Sequence, residues 1–270
     1  MAFYNFDRRI INPSIKPWGH SRVFTPADIT TALWLDASDG DTFTITGSGV
    51  SAWNDKSGND SHSCQDNDSY RPVRVSDSVV FDGVNDFMDL TNTADRICRN
   101  VGGFSVFHVT DVNTANTVNI LRISASSAAG NVRNASGVKG IGIRRQESDP
   151  YLFFSYDLAA PSGKTITSCI TSYVGGSVHA ARNGDYKFIT SSFNGGGNTS
   201  NSSSAGVWVG GTGYNPTLLP YNGTIHEIIA IQNALPESDR QKIEGYLAHK
   251  WGLEDNLPND HPYKTYAPRA

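Results

Sequence analysis

Apolar residues in this chain come in short runs, and each run is cut by Gly, Asn or Asp within a few positions. Leu33-Trp34-Leu35 stops at Asp36-Ala37-Ser38-Asp39-Gly40-Asp41, and Thr42-Phe43-Thr44-Ile45 then alternates as a half-buried strand does. Val50-Ser51-Ala52-Trp53 leads into Asn54-Asp55-Lys56-Ser57-Gly58-Asn59, and Val79-Val80-Phe81 leads into Asp82-Gly83. Further runs at 104–109, 118–123, 151–154 and 207–209 extend the series. The pattern predicts many short strands joined by tight turns, and almost no helix.

One segment departs from it. After an apolar run at 224–231, Ile243, Tyr246, Leu247 and Trp251 fall at i, i+3, i+4 and i+8, which predicts a helix over 236–251 with its apolar stripe on the sandwich. Pro236 suits the first helical position and Gly252 suits a stop. Glu237 and Asp239 near the start, with His249 and Lys250 near the end, complement the helix dipole. Residues 1–26 show no period, because Pro13, Pro17 and Pro26 interrupt it, yet they carry Phe3, Tyr4, Phe6, Ile10, Ile11 and Trp18. Such an arm is too apolar for solvent. It either folds back on its own domain or docks on a neighbouring subunit. The stretch 194–206, rich in Gly, Asn and Ser, reads as a mobile surface loop facing outward. The expected organisation is an arm, 1–26, and one domain, 27–270, that includes the helix and tail.

Composition and charge narrow the function more than the fold. At 270 residues with 38% apolar positions the chain can build one sandwich core, and Gly 26 with Pro 12 supplies its turns. The formal charge of -4 is spread along the chain without a Lys/Arg cluster, so no nucleic-acid partner is expected. Neither a signal-peptide-like opening nor the ~20 apolar residues of a membrane span occurs, so the expectation is synthesis in the cytosol without secretion or a membrane span. Cys64, Cys98 and Cys169 lie far apart without a CxxC pairing and read as reduced, buried thiols.

Several of these segments together resemble a family. Leu33-Trp34-Leu35-Asp36-Ala37-Ser38-Asp39, Trp53-Asn54-Asp55-Lys56-Ser57-Gly58-Asn59, Val80-Phe81-Asp82-Gly83-Val84-Asn85-Asp86, the 223–231 strand, and 245–263 with its Gly-Tyr-Leu-Ala-His-Lys-Trp helix and His261-Pro262-Tyr263 tail are similar to the concanavalin A-like, laminin-G-like jelly rolls. The variant resembles one found in bacteriophage structural proteins and in some bacterial surface proteins. The resemblance implies an all-β, antiparallel two-sheet jelly-roll sandwich with one C-terminal α-helix, preceded by an extended N-terminal arm. Two positions depart from the pattern: His226 stands where an acidic residue is usual before Glu227, and Pro236 replaces a Ser cap.

Catalytic constellations are thin. Glycosidases of this fold place carboxylates on alternate residues of one strand, and no such run exists among Glu147, Glu227, Glu237, Glu244 and Glu254. Gly140-Ile141-Gly142 lacks the third glycine of a dinucleotide loop, and His226-Glu227 has Ala230 where a zinc protease needs its second His. The acidic turns are the more serious candidates. Asp36, Asp39 and Asp41 form one dense group that could hold Ca²⁺, Asp55 with Asn59 a second, and Asp82, Asn85 and Asp86 a third. The alternative is that these side chains cap their own turns.

Trp34, Trp53, Trp208 and Trp251 sit in strand or helix contexts and read as core, whereas Tyr214, Tyr221 and Trp18 are candidate ligand contacts. The leading expectation is a non-catalytic virion component, head decoration or tail-fibre type. It is anchored through Phe3, Tyr4, Phe6, Ile10 and Trp18 to other virion proteins or to copies of itself, with a trimer as the guessed symmetry. The alternative is a stand-alone carbohydrate-binding module that contacts a host-surface glycan.

Overall fold

The computed structural model describes residues 22–90, 97–112, 119–124, 132–137, 140–146, 148–155, 163–190, 193, 195–199, 206–213 and 215–270. Strands follow in chain order as β1 (Leu33–Asp36), β2 (Phe43–Thr46), β3 (Gly49–Trp53), β4 (Ser63–Cys64), β5 (Val73–Val75), β6 (Ser78–Asp82), β7 (Met88–Asp89), β8 (Gly103–Val112), β9 (Asn119–Ser124), β10 (Val132–Gly137), β11 (Gly140–Ile143), β12 (Leu152–Ser155), β13 (Thr165–Ser172), β14 (Ser177–Arg182), β15 (Asp185–Thr190), β16 (Gly206–Val209) and β17 (Asn222–Ile231). The helix α1 (Glu237–Trp251) comes after them.

These strands form two antiparallel sheets. One, of eight strands, runs β15-β14-β13-β8-β17-β6-β5, with β1 paired to β17 off that path; the other, of nine, runs β12-β11-β10-β9-β16-β7-β4-β3-β2. The sheets face each other across a core that includes Leu33, Leu35, Trp53, Phe81, Phe104 and Val106. A second apolar layer lies on the outer face of the eight-stranded sheet, where Phe107, Val109, Ile166 and Ile229 meet Ile243, Leu247 and Trp251 of α1. Strand β8 therefore has both faces covered, which explains why eight consecutive residues from Gly103 to Thr110 are buried. Burying each large apolar side chain of the helix stripe stabilises the docking by about 1.5–3 kcal/mol. The two-sheet sandwich expected from the alternating runs is the architecture of the chain.

The helix begins one residue later than its sequence pattern suggested. Pro236 is the extended N-cap (φ -65, ψ 161) rather than the first helical residue, and its carbonyl accepts from the Arg240 amide at 3.0 Å. Gly252 ends α1 in the left-handed region at φ 67, a conformation that side-chain-bearing residues resist. Cys98 and Cys169 are buried, whereas Cys64 is only half-buried, and none of the three is joined in a disulfide among the described residues.

The described root of the expected arm, residues 22–26, belongs to the domain. Val23 bridges Arg269, the Phe24 amide donates to the Pro268 carbonyl at 2.9 Å, and the Phe24 ring is buried edge-on to Tyr246. Residues Phe3, Tyr4, Phe6, Ile10 and Trp18 lie outside the described residues. Within the expected outward loop at 194–206, residues 195–199 are tied inward. Thr199 is buried and its hydroxyl accepts from the Val101 amide at 2.9 Å. No helix among the described residues is long and apolar enough to cross a membrane.

Candidate functional site

The acidic turns resolve into structural nodes. Asp36 on β1 stands directly opposite Glu227 on β17, two like charges that would repel if left alone. Lys250 of α1 is inserted between them, 2.6 Å from Asp36 Oδ1 and 2.8 Å from Glu227 Oε2. Glu227 is fully buried, and its carboxylate also accepts from Trp34 Nε1 (2.7 Å), Trp251 Nε1 (2.7 Å) and Tyr246 OH (3.0 Å). Burial pushes this carboxyl upward, and Lys250 with the Trp251 N–H opposes the rise. For Asp36, burial acts upward too, but Lys250, Ser38 and Lys56 outweigh it and hold the group below the usual carboxylate range. Asp39 is bound to Lys56 at 2.8 Å.

Asp36, Asp39 and Asp41 therefore do not form an ion cage. Lysine ammoniums already meet Asp36 and Asp39, the carboxylate of Asp39 accepts from the Asp41 amide at 3.3 Å, and Asp41 is exposed. Among the described residues no group of three or more His, Cys, Asp or Glu is placed to hold a metal ion. The other two acidic turns cap their own backbone. Asp55 accepts from the amides of Trp34, Ser57 and Ser61. Asp82 accepts from Val84 and Asn85, and Asp86 accepts from the Asp82 amide at 2.9 Å while burial pushes its carboxyl up to about 6. A further node sits at Glu244, fully buried, which receives Arg240 (2.6 Å), Ser168 Oγ (2.6 Å) and His261 Nε2 (3.3 Å).

Of the candidate ligand aromatics, Tyr221 is corrected. Its ring is fully enclosed against Phe81, and its hydroxyl lies 3.0 Å from the Asp111 carbonyl and 3.2 Å from that of Thr224, so it offers no face to a ligand. Tyr214 and Trp18 lie outside the described residues. Trp34, Trp53, Trp208 and Trp251 are all buried, as their contexts indicated.

A different part of the molecule offers a binding geometry. Among the described residues strand β12 is the outer edge of the nine-stranded sheet and pairs with β11 alone, from Gly140↔Ser155 to Ile143↔Leu152. Its alternation sends Leu152 and Phe154 toward the inter-sheet core, while Tyr151, 39% exposed, and Phe153, 45% exposed, face outward. Both rings lie across β11. A Cβ on Gly142 would collide with the Tyr151 ring, and one on Gly140 with the Phe153 ring, so glycine at these two positions of β11 is what lets the aromatics lie against the sheet.

At the open end of the same hairpin, on the core-facing side of the strands rather than the side of the rings, is a cleft of about 240 Å³. Among the described residues Ile143, Leu152 and Phe193 give it apolar walls, and Arg144, Arg145, Asp149 and Pro150 also line it. The loop that shapes it is braced internally: Arg145 Nε is 3.3 Å from Asp149 Oδ2, Gln146 donates to Asp149 Oδ1 at 2.9 Å, and the Asp149 amide donates to the Gln146 carbonyl at 3.1 Å. Phe193 is supported from behind by Phe154 and Tyr173, with ring centroids at 6.4 and 6.2 Å. Apolar walls with a few fixed polar groups are the usual makings of a small-molecule site. The sequence did carry a signal for the shelf, the Gly-x-Gly run facing an alternating Tyr-x-Phe, but that reading requires knowing that the two segments pair.

No protein-family model and no curated protein matches the sequence. Solved structures do resemble it in fold. Domain 4 of AbnA, a GH43 extracellular arabinanase from Geobacillus stearothermophilus solved in complex with arabinotriose, aligns with a TM-score of 0.54 at 16% identity, covering 77% of this chain and 95% of that one. Trypanosoma rangeli sialidase in complex with sialic acid aligns with a TM-score of 0.51 at 13% identity over 81% of this chain, which spans 33% of the sialidase. At these identities the likeness establishes a shared fold, the antiparallel two-sheet β-sandwich.

Proposed function

We propose that this protein is a non-catalytic carbohydrate-binding domain whose ligand lies on the β11–β12 hairpin. The observation that carries the reading is the pair of half-exposed rings, Tyr151 and Phe153, spread across a glycine floor on the outward face of the hairpin. Rings of this kind offer large apolar area at low entropic cost to the C–H face of a sugar, while polar groups serve its hydroxyls. A sandwich of similar fold, the arabinanase domain, was solved with arabinotriose, so the architecture is one that accommodates sugar. Absence of catalysis is supported by the acid inventory. Glycoside hydrolysis needs two carboxyl groups flanking one bond, and Asp149 is the single carboxylate among the described residues lining the cleft.

The virion-assembly reading stands second. It depends on anchoring by Phe3, Tyr4, Phe6, Ile10 and Trp18, which lie outside the described residues. A glycan array followed by titration calorimetry tests the leading reading: glycans are retained by the native chain and lost or weakened by Tyr151→Ala and Phe153→Ala. Binding unchanged in both variants, or no glycan bound at all, overturns it.

A further inference from the structure

We infer that Lys250 condenses with Asp36 into an intramolecular amide, with Glu227 as the proton carrier, so that α1 is covalently bonded to β1. The three side chains meet at one point. Lys250 Nζ lies 2.6 Å from Asp36 Oδ1, 2.8 Å from Glu227 Oε2 and 3.2 Å from the Tyr246 hydroxyl. The carbon bonded to Oδ1 is therefore within about 3.8 Å of the nitrogen, close to the separation from which attack begins. Trp34, Trp251 and Tyr246 close the site, and the Glu227 side chain is fully buried, that of Asp36 4% exposed and that of Lys250 19% exposed.

Each group suits one role. Two indole N–H groups and the Tyr246 hydroxyl fix the Glu227 carboxylate beside the ammonium, and burial raises its affinity for a proton. Asp36 is the electrophile. Its Oδ1 accepts from the Ser38 amide (3.1 Å) and hydroxyl (2.7 Å), and its Oδ2 accepts from Lys56 Nζ (2.9 Å). These donors stand where negative charge grows in a tetrahedral adduct. Lys56 also touches Asp36, but its other acid is Asp39, about one-third exposed, whereas Lys250 has the buried Glu227.

In the reaction the Lys250 ammonium passes a proton to the Glu227 carboxylate, and the freed lone pair bonds to Asp36 Cγ. Glu227 returns that proton to one oxygen of the adduct, then moves a second proton from the nitrogen to the same oxygen. The C–O bond breaks and water leaves. One ammonium and one carboxylate become one amide and one water, Glu227 ends as it began, and no co-reactant is consumed. Removing two buried charges favours the amide, because a buried ion pair carries a desolvation cost that a hydrogen-bonded amide largely escapes. Lys56 keeps Asp39 as its anion. The bond closes a loop of more than two hundred residues, which restricts the unfolded chain as a disulfide of that span does.

Intact-mass spectrometry of the denatured full chain is the test, and the native measurement needs no variant to fold. The native chain is expected to weigh one water less than its sequence, with or without Met1, and its tryptic digest to contain a branched peptide that joins Lys250 to the Asp36 segment. Lys250→Arg and Glu227→Gln are expected at full sequence mass with linear peptides alone, and to migrate more slowly than the looped native chain in denaturing electrophoresis. A native chain at full sequence mass, or a branch at Lys56 in place of Lys250, overturns the inference. Persistence of the branched peptide in Glu227→Gln overturns the role given to Glu227.

Discussion

The two outer faces of the sandwich have been used in opposite ways. On the eight-stranded sheet, α1 covers the surface, and the residues most rich in chemistry, Glu227, Asp36, Lys250, Glu244 and Arg240, are locked into complete hydrogen-bond sets beneath or beside it. On the nine-stranded sheet, the β11–β12 edge leaves two aromatic rings and a cleft open to solvent, with modest sequence and no motif. A carboxylate that receives four donors and sees no cleft serves the fold. The half-exposed rings of the edge strand are the surface on which the proposed carbohydrate reading rests.

The comparison breaks first at Glu227. Glu227→Ala leaves the Lys250 ammonium, two indole N–H groups and the Tyr246 hydroxyl around an empty buried site, and a loss of about 3–5 kcal/mol in denaturant titration is expected. A change under about 1 kcal/mol would show that the node is not a lock.

The interior between the sheets is tested by acid. His108 is buried with no hydrogen-bond partner on either ring nitrogen among the described residues, and burial together with the Arg182 charge holds its imidazole down at about 3. A depressed histidine contributes stability that is complete above its unfolded value near 6.5 and is lost as pH falls toward the folded value. His108→Leu should therefore retain roughly 3 kcal/mol at pH 4 that the native chain gives up, with little difference at pH 8. Parallel stability-versus-pH curves for the two proteins would contradict this.

At the open face the contrast reverses. Tyr151→Ala is expected to weaken glycan binding by about tenfold or more, while the unfolding free energy moves by no more than about 0.5 kcal/mol. Thermal melts beside calorimetry read both quantities at once, and a large stability loss would reassign the ring to the fold.

The smallest expected effect is at Asp86, whose carboxyl is raised to about 6 by burial. A raised acid contributes stability that is present below its unfolded value and disappears as pH rises through the folded one. Asp86→Asn keeps an oxygen for the Asp82 amide and should gain stability at pH 7 that fades as pH falls to 4.

Much of the fold was legible in the chain. The strand runs at 33–35, 79–81 and 224–231, the stripe of Ile243, Leu247 and Trp251, and the burial of four tryptophans followed from period and context, while the structure extends the first two runs through Asp36 and Asp82. The reading of the acidic turns was legible only as two alternatives, calcium or capping. Asp55 and Asp82 were settled as caps by donors within a few residues, which sequence can suggest. Asp36 was settled by Lys250, more than two hundred positions away, which it cannot. Tyr221 misled because it lies just outside a strand in a Pro- and Asn-rich stretch. Only the packing of Phe81 and the carbonyl of Asp111 shows that it is interior.

By itself the sequence determined the local elements: side-chain period selects strand or helix, and Asx and Gly residues set where each run ends, because both act within a few bonds of where they stand. The tertiary structure alone decided which sheet face α1 would cover, that Lys250 would neutralise two opposed carboxylates, and that Gly140 and Gly142 would come to lie under Phe153 and Tyr151. Those outcomes depend on strand order and register between distant segments, and burial, charge pairing and exposure are properties of neighbours in space.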